Sequence, residues 1–126
     1  MRDIHHVMVE NDAIIVPVPI HPIRYIIRGY NQSALMGEKI AKRLGKLFIP
    51  DFFISKTMFK QKTKWQRVKN RKDKIKIKNK YKKMAKDKQI IIIDDVYVTG
   101  STITACINEI KKHSSKNTIS IFGYKK

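Results

Sequence analysis

The residues from Ile90 to Thr102 read IIIIDDVYVTGST, and this stretch decides the fold that the sequence predicts. Four consecutive isoleucines are too few to span a membrane, and their β-branched side chains disfavour the interior of a helix. Such a continuous apolar run is typical of a strand buried on both faces, as in a parallel sheet covered by helices. Asp94 and Asp95 follow where this strand is expected to end.

The segment after Thr102 is predicted to be an amphipathic helix. Its apolar residues fall at i, i+3, i+4 and i+7, on one helical face: Ile103, Cys106, Ile107 and Ile110. A strand, a loop and a helix in this order aim several free backbone N–H groups, and the positive end of the helix dipole, at one point. This junction is therefore a candidate anion-binding site.

The side chains at the junction suit a phosphorylated sugar. Gly100 lets the backbone approach an anion closely, and three hydroxyl-bearing residues beside it can donate hydrogen bonds. Ionised carboxylates only accept hydrogen bonds, so Asp94 and Asp95 suit sugar hydroxyls or a hydrated Mg²⁺. The motifs of a P-loop and of a dinucleotide-binding turn are both absent. The alternative is a buried strand, an acidic turn and a capped helix with no ligand.

An apolar strand followed by paired acids and a Thr-Gly-Ser-Thr turn resembles the motif with which type I phosphoribosyltransferases bind phosphoribosyl pyrophosphate (PRPP). The resemblance implies that Asp94 and Asp95 act in catalysis by contacting the ribose 2- and 3-hydroxyls. It implies that the following turn surrounds the 5-phosphate, and it assigns these residues to substrate binding: Val96, Thr99, Gly100, Ser101 and Thr102. The Mg²⁺ cofactor would be carried by PRPP near the two acids, without direct ligation by the protein.

In this family a nitrogen nucleophile displaces pyrophosphate from PRPP. Arg28 follows the first predicted strand, where the fold usually binds pyrophosphate, so the resemblance makes it a catalytic candidate. Asn31 and Gln32 either contact the substrate or cap the helix that begins there. The acceptor of the phosphoribosyl group is left open.

The rest of the chain completes a single α/β domain, with a mostly parallel sheet flanked by helices. A strand is predicted over residues 13–20, although its two prolines argue against a fully paired central strand. A helix follows and ends near Gly45, then further strands are predicted over residues 47–54 and 118–124. The domain divides into residues 13–54, a basic segment over 55–89 that is expected to be mobile without ligand, and residues 90–126.

A second resemblance covers more of the chain. VPVPIHP followed by Arg-Gly-Tyr-Asn-Gln over residues 28–32 is similar to ComF-type phosphoribosyltransferase-like proteins, which are associated with DNA uptake in natural competence. Thr63, Gln66 and Arg71 loosely match that family's middle segment. The family's N-terminal four-cysteine zinc module is missing here, so zinc is not carried over. The chain is then either a natural short form or a fragment of a longer protein.

The net charge is +18, from 28 basic and 10 acidic residues. Residues 60–88 hold 15 basic and two acidic residues, a net charge of +13, so the basicity is concentrated in one segment. Such a segment indicates a polyanionic partner, either PRPP or single-stranded DNA, unless the lysines only decorate a solvated surface. The candidate nucleic-acid-binding residues are Lys62, Lys64, Arg67, Lys78, Lys80, Lys82 and Lys83. A non-catalytic PRPP-binding module that holds DNA is thus the alternative to an enzyme.

The composition bears on the cellular location that we expect for the protein. No apolar run reaches the length of a membrane span, and the N-terminus lacks the apolar core of a signal peptide. Cys106 is the single cysteine, which excludes an intrachain disulfide framework and a cysteine-rich zinc site. We therefore expect a cytoplasmic protein without a membrane partner. Its oligomeric state stays open, with a dimer as one possibility.

Overall fold

The computed structural model describes residues 9–19, 31–55, 75–97, 101–114 and 116–125. These residues form six strands and three helices. In chain order they are β1 (Ile14–Pro17), α1 (Gln32–Leu44), β2 (Leu47–Phe48), β3 (Phe53–Ser55), β4 (Ile75–Ile77), α2 (Asn79–Ala85), β5 (Gln89–Tyr97), α3 (Ser101–His113) and β6 (Thr118–Lys125). Within these residues no helix is long and apolar enough to cross a membrane.

Four of the strands form one sheet in the order β2-β1-β5-β6, and every neighbouring pair is parallel. Strand β5 lies in the middle, with Ile90 paired to Ile14 on one side and to Ile119 on the other. A central strand covered on both faces needs apolar side chains at every position, which explains the run of isoleucines. The predicted α/β architecture, a parallel sheet flanked by helices, is confirmed.

The isoleucines of β5 alternate between two hydrophobic clusters on opposite faces of the sheet. Ile90 and Ile92 belong to the cluster that contains Cys106 and Ile110 of α3. The other face is covered by α1 and includes these members: Ile91, Ile93, Ala41, Met36, Ile40 and Leu44. Each helix therefore covers one face of the same strand.

The two helical connections run in opposite directions from the centre of the sheet. The chain passes from β1 through α1 to β2 at one edge, and from β5 through α3 to β6 at the other. Because the helices lie on opposite faces, the two connections have the same hand. Their divergence leaves a crevice outside the carboxyl ends of β1 and β5, the place where open α/β sheets generally bind ligands.

The predicted strand over residues 47–54 is wrong as a single element. Its first part forms β2 at the edge of the parallel sheet, and its second part forms β3, which pairs antiparallel with β4 in a separate sheet. Pro50 and Asp51 lie in the turn between them, and proline cannot supply the N–H of a continuous ladder. Further along, Ile75–Ile77 forms β4, and Tyr81 lies in α2.

The prolines do not exclude β1 from the centre of the sheet, although the strand is shorter than the predicted range of 13–20. Pro17 is the last residue of β1 and stands in register with Ile93. The ladder continues beyond it, since the Val18 N–H donates to the Ile93 carbonyl at 2.9 Å. A proline at a strand end removes little of the pairing, so the strand stays central.

Asn31 joins the start of α1 to the end of β1. Its Oδ1 accepts from the Ser33 N–H at 3.0 Å, and its Nδ2 donates to the Val18 carbonyl at 3.1 Å. The first bond is an N-cap, which satisfies one of the free donors of the helix. At the other end of α1, Gly45 adopts a φ of 66°, the left-handed conformation that ends many helices.

We expect Asn31→Ala to lower the free energy of unfolding by about 1 kcal/mol, since it removes the cap, and by more if the bond to Val18 also contributes. Asn31→Ser is the matched control, because serine caps a helix but lacks the amide that donates to the Val18 carbonyl. Urea denaturation of the three proteins separates the two bonds. Equal stability of the alanine variant and the parent would contradict a structural role for this side chain.

Candidate functional site

Asp94 and Asp95 lie within β5, at an irregularity in its pairing with β6. Ile93 pairs with Phe122 and Val96 pairs with Tyr124, so two residues of β5 stand opposite Gly123 alone. This is a β-bulge, a feature that is concentrated near functional sites because it redirects side chains. The sequence analysis placed the acids after the strand, whereas the strand continues to Tyr97.

Gly123 permits this bulge. The role of this glycine was not predicted from the sequence. A Cβ atom at position 123 would lie 1.9 Å from the carbonyl oxygen of Asp94, closer than any non-bonded contact allows. Only glycine therefore fits opposite the paired acids. The available signal was a glycine inside an otherwise apolar strand, which often marks a bulge or a close backbone approach.

Asp94 is largely buried, with 7% of its surface exposed. Its charge lies close enough to Cys106, on the α3 side of the sheet, to affect the thiol. Burial raises the pKa of the Cys106 thiol, and the charges of Asp94 and Glu109 raise it further. A thiol held in the protonated form is a poor nucleophile, so Cys106 has a packing role.

The remaining residues of the predicted phosphate turn are described in part. Val96 continues β5, Ser101 is the first residue of α3, and Thr102 is exposed in the first turn of that helix. Thr99, Gly100 and the catalytic candidate Arg28 lie outside the described residues.

Hydrogen bonds bring the start of α1 next to the acids. Asn31 donates to Val18, and Val18 in turn donates to Ile93, the residue before Asp94. The beginning of α1 and the bulge of β5 therefore meet at the carboxyl edge of the sheet. Asn31 uses both ends of its amide in these contacts, while Gln32 is exposed at the first position of α1.

Two of the candidate nucleic-acid-binding lysines, Lys78 and Lys80, lie next to a carboxylate. Lys78 Nζ lies 2.8 Å from Asp51 Oδ2, and Lys80 Nζ lies 3.9 Å from the same atom. Asp51 also accepts from the Tyr81 hydroxyl at 2.7 Å, and the Lys78 ammonium and this hydroxyl lower the pKa of its carboxyl. Lys78 is thus engaged in an ion pair. Lys62, Lys64 and Arg67 lie outside the described residues.

Tyr81 anchors α2 to the core. Its ring stacks on Phe52 with a centroid distance of 6.0 Å and packs against the cluster on the α3 face. The face of the Tyr81 ring that stacks on Phe52 is not available for stacking on a base. This favours a role in anchoring α2 over a role in base recognition.

Glu109 fastens the small β3–β4 sheet to α3. This buried carboxylate accepts from the Ile77 N–H at 2.9 Å and lies 3.2 Å from His113 Nε2. Its other partner is Lys76 Nζ of β4, at 4.0 Å, so two of these three contacts join β4 to α3 and we assign Glu109 a structural role. Across the described part of the chain, no group of three or more His, Cys, Asp or Glu side chains is placed to hold a metal ion.

Comparison of the chain with protein-family models, curated proteins and solved structures gave no match.

We expect Gly123→Ala to destabilise the protein by roughly 1–3 kcal/mol, the usual cost of forcing an extra carbon into a packed region. The strand must move because the new Cβ would overlap the Asp94 carbonyl. Gly45→Ala is the control. At position 45 the positive φ strains an alanine, but no atom lies within 4 Å of the added carbon. This position also lies far from the acids. Urea denaturation compares them, and unchanged stability of Gly123→Ala would contradict the bulge.

We expect Cys106 to resist thiol reagents in the folded protein and to react fully in denaturant, because burial raises its pKa and blocks access. It is the single cysteine of the chain, so the colour released by a disulfide reagent reports on it alone. Rapid stoichiometric labelling of the native protein would show that the α3 face is open.

Proposed function

We propose that this chain is a phosphoribosyltransferase-like protein of the ComF type that binds PRPP at the carboxyl ends of β1 and β5. The observation that supports this proposal most is the bulge, which places two adjacent acids just ahead of the N-terminus of α3. The position of this junction in the crevice of the sheet supports it independently of any motif. A strand, an acidic turn and a capped helix without ligand would need neither the bulge nor Gly123.

In the proposed binding mode each part of the junction recognises a different part of the substrate. Asp94 and Asp95 accept hydrogen bonds from the ribose hydroxyls. The first N–H groups of α3, together with the hydroxyl of Thr102, donate to the 5-phosphate, where the helix dipole also favours negative charge. Asp94 exposes 7% of its surface, so in this mode it contacts the substrate through a small area.

The proposed reaction is displacement of pyrophosphate from C1 of PRPP by a nitrogen nucleophile. Positive charge beside the departing pyrophosphate lowers the barrier, and Arg28 is the proposed source of that charge. The adjacent carboxylates fit Mg²⁺, which prefers oxygen ligands and keeps several of its waters. Bound with PRPP near Asp94 and Asp95, Mg²⁺ would neutralise charge on the leaving group.

The alternative function is a PRPP-binding or nucleotide-binding module without turnover. Isothermal titration calorimetry with PRPP and Mg²⁺, followed by an assay of pyrophosphate release over candidate nitrogen acceptors, distinguishes the two. Binding with turnover supports the enzyme, and binding without turnover for any acceptor supports the module. Absence of binding would contradict both.

We expect Thr102→Ala and Asp95→Ala each to weaken PRPP binding about ten- to a hundredfold. Loss of a hydrogen bond to a charged group costs about 1.5–3 kcal/mol, which corresponds to that range. Thr104→Ala is the matched control for Thr102→Ala, because Thr104 is also exposed on α3 but lies about 200° around the helix. Calorimetry measures all three, and equal affinity of the Thr102 and Thr104 variants would place the phosphate elsewhere.

A further inference from the structure

The amino edge of the sheet, opposite the candidate site, carries a basic groove. The turn before β5 and the turn before β6 lie side by side there, because these adjacent strands are parallel. Between them is an open groove of about 460 Å³. Its lysines, which we call the groove lysines, are Lys86, Lys111, Lys112 and Lys116.

A fifth lysine extends this surface. A small cavity of about 20 Å³ adjoins the groove and shares Lys86, His113 and Ser114 with it. Lys82 lines that cavity. Lys82 of α2 therefore lies beside a cavity that adjoins the groove, whereas Lys80 of α2 and Lys78 just before it contact Asp51.

The groove keeps a net positive charge within the described part of the chain, since four lysines and one carboxylate, that of Asp87, line it. None of the groove lysines has a carboxylate of that part within ion-pair distance. The one acid that lines the groove, Asp87, accepts a hydrogen bond from the Ser114 hydroxyl at 2.8 Å. His113 is directed to Glu109.

Hydrogen bonds hold the two turns of the groove together. Asn117 Nδ2 donates to the carbonyls of Ala85 and Lys88, at 2.8 and 2.6 Å. Ser114 links to Asp87, whose φ of 64° is tolerated by aspartate more readily than by most residues. The backbone under the lysines is therefore fixed before any partner arrives, and this lowers the entropic cost of binding.

Stabilisation of the helix dipole explains only part of this cluster. Lys111 and Lys112 lie in the last turn of α3, where positive charge is favourable. Lys116 lies beyond α3, in the turn before β6, and Lys86 belongs to the other turn. Four ammonium groups and a single carboxylate around one concave surface leave a net positive charge, which favours an anion with several charges.

We propose that this groove binds the phosphodiester backbone of nucleic acid. Lysines are flexible point charges that contact phosphates without reading bases. Among the described residues, no Phe, Tyr or Trp lines the groove, and the ring of His113 is directed to Glu109, so binding is expected to be independent of sequence. A linear polyanion fits a groove better than a flat anionic surface fits it. This inference does not rest on PRPP binding, since the nine residues of β5 separate the two edges by roughly 26 Å.

The test is a salt titration of oligonucleotide binding, with fluorescence anisotropy as the readout of affinity. Four contacts to single-stranded DNA give a slope of about −3 in log affinity against log salt, at about 0.7 per neutralised phosphate. The triple variant Lys111→Gln, Lys112→Gln, Lys116→Gln should make that slope shallower by about 2. The matched control changes Lys39, Lys42 and Arg43 to Gln, because these exposed residues of α1 lie on the other face of the sheet and carry the same charge. We expect the control to keep the parent slope.

Three outcomes overturn the proposal. Equal changes in both triple variants would mean that net charge alone drives binding. An unchanged slope in the groove variant would place the DNA elsewhere. Stronger, groove-dependent binding to polyglutamate or to vesicles of anionic phospholipid than to DNA would identify a different partner. Circular dichroism checks that each variant is folded, and PRPP calorimetry on the groove variant, expected to match the parent, keeps this result separate from the PRPP proposal.

Discussion

Both faces of the sheet depend on the burial of one strand. The four isoleucines of β5 have no exposed surface, and the strand is hydrogen-bonded to β1 on one side and to β6 on the other. A fully buried isoleucine contributes about 1.5–3 kcal/mol, so the four together match the entire net stability of a typical domain. Because they alternate between the two clusters, α1 and α3 are stabilised by the same run of residues.

That constraint also positions the candidate site. Burial of the isoleucines fixes the register of β5, and the pairing with β6 then fails at Asp94 and Asp95, where Gly123 lets the two backbones approach. The backbone at both acids is held at a defined place by a strand that pairs with β1 and β6 and carries a fully buried run of isoleucines. Asn31, through Val18, ties the start of α1 to the same place. The crevice is therefore lined by rigid elements on the β1 and β5 sides.

The basic residues serve different purposes, although they look alike in the sequence. Lys78 and Lys80 compensate Asp51 where α2 meets the small sheet, while Lys82 lines a small cavity next to the groove at the amino edge. Lys42 forms an exposed pair with Glu38 on α1, and such pairs contribute little to stability. Charge density alone could not separate these groups, because the separation depends on which turns are adjacent across the sheet.

The sequence by itself determined the parallel α/β architecture, the central buried strand and the helix after the Thr-Gly-Ser-Thr turn. These features follow from local patterns: an uninterrupted β-branched run, and apolar residues at helical spacing. Tertiary structure alone decided the strand order, the division of residues 47–54 between two sheets, the bulge opposite Gly123 and the groove between the turns before β5 and β6. Each of these joins residues that are distant in the chain, as Asp94 and Gly123 are. Their contact depends on packing between elements, which no local pattern of residues records.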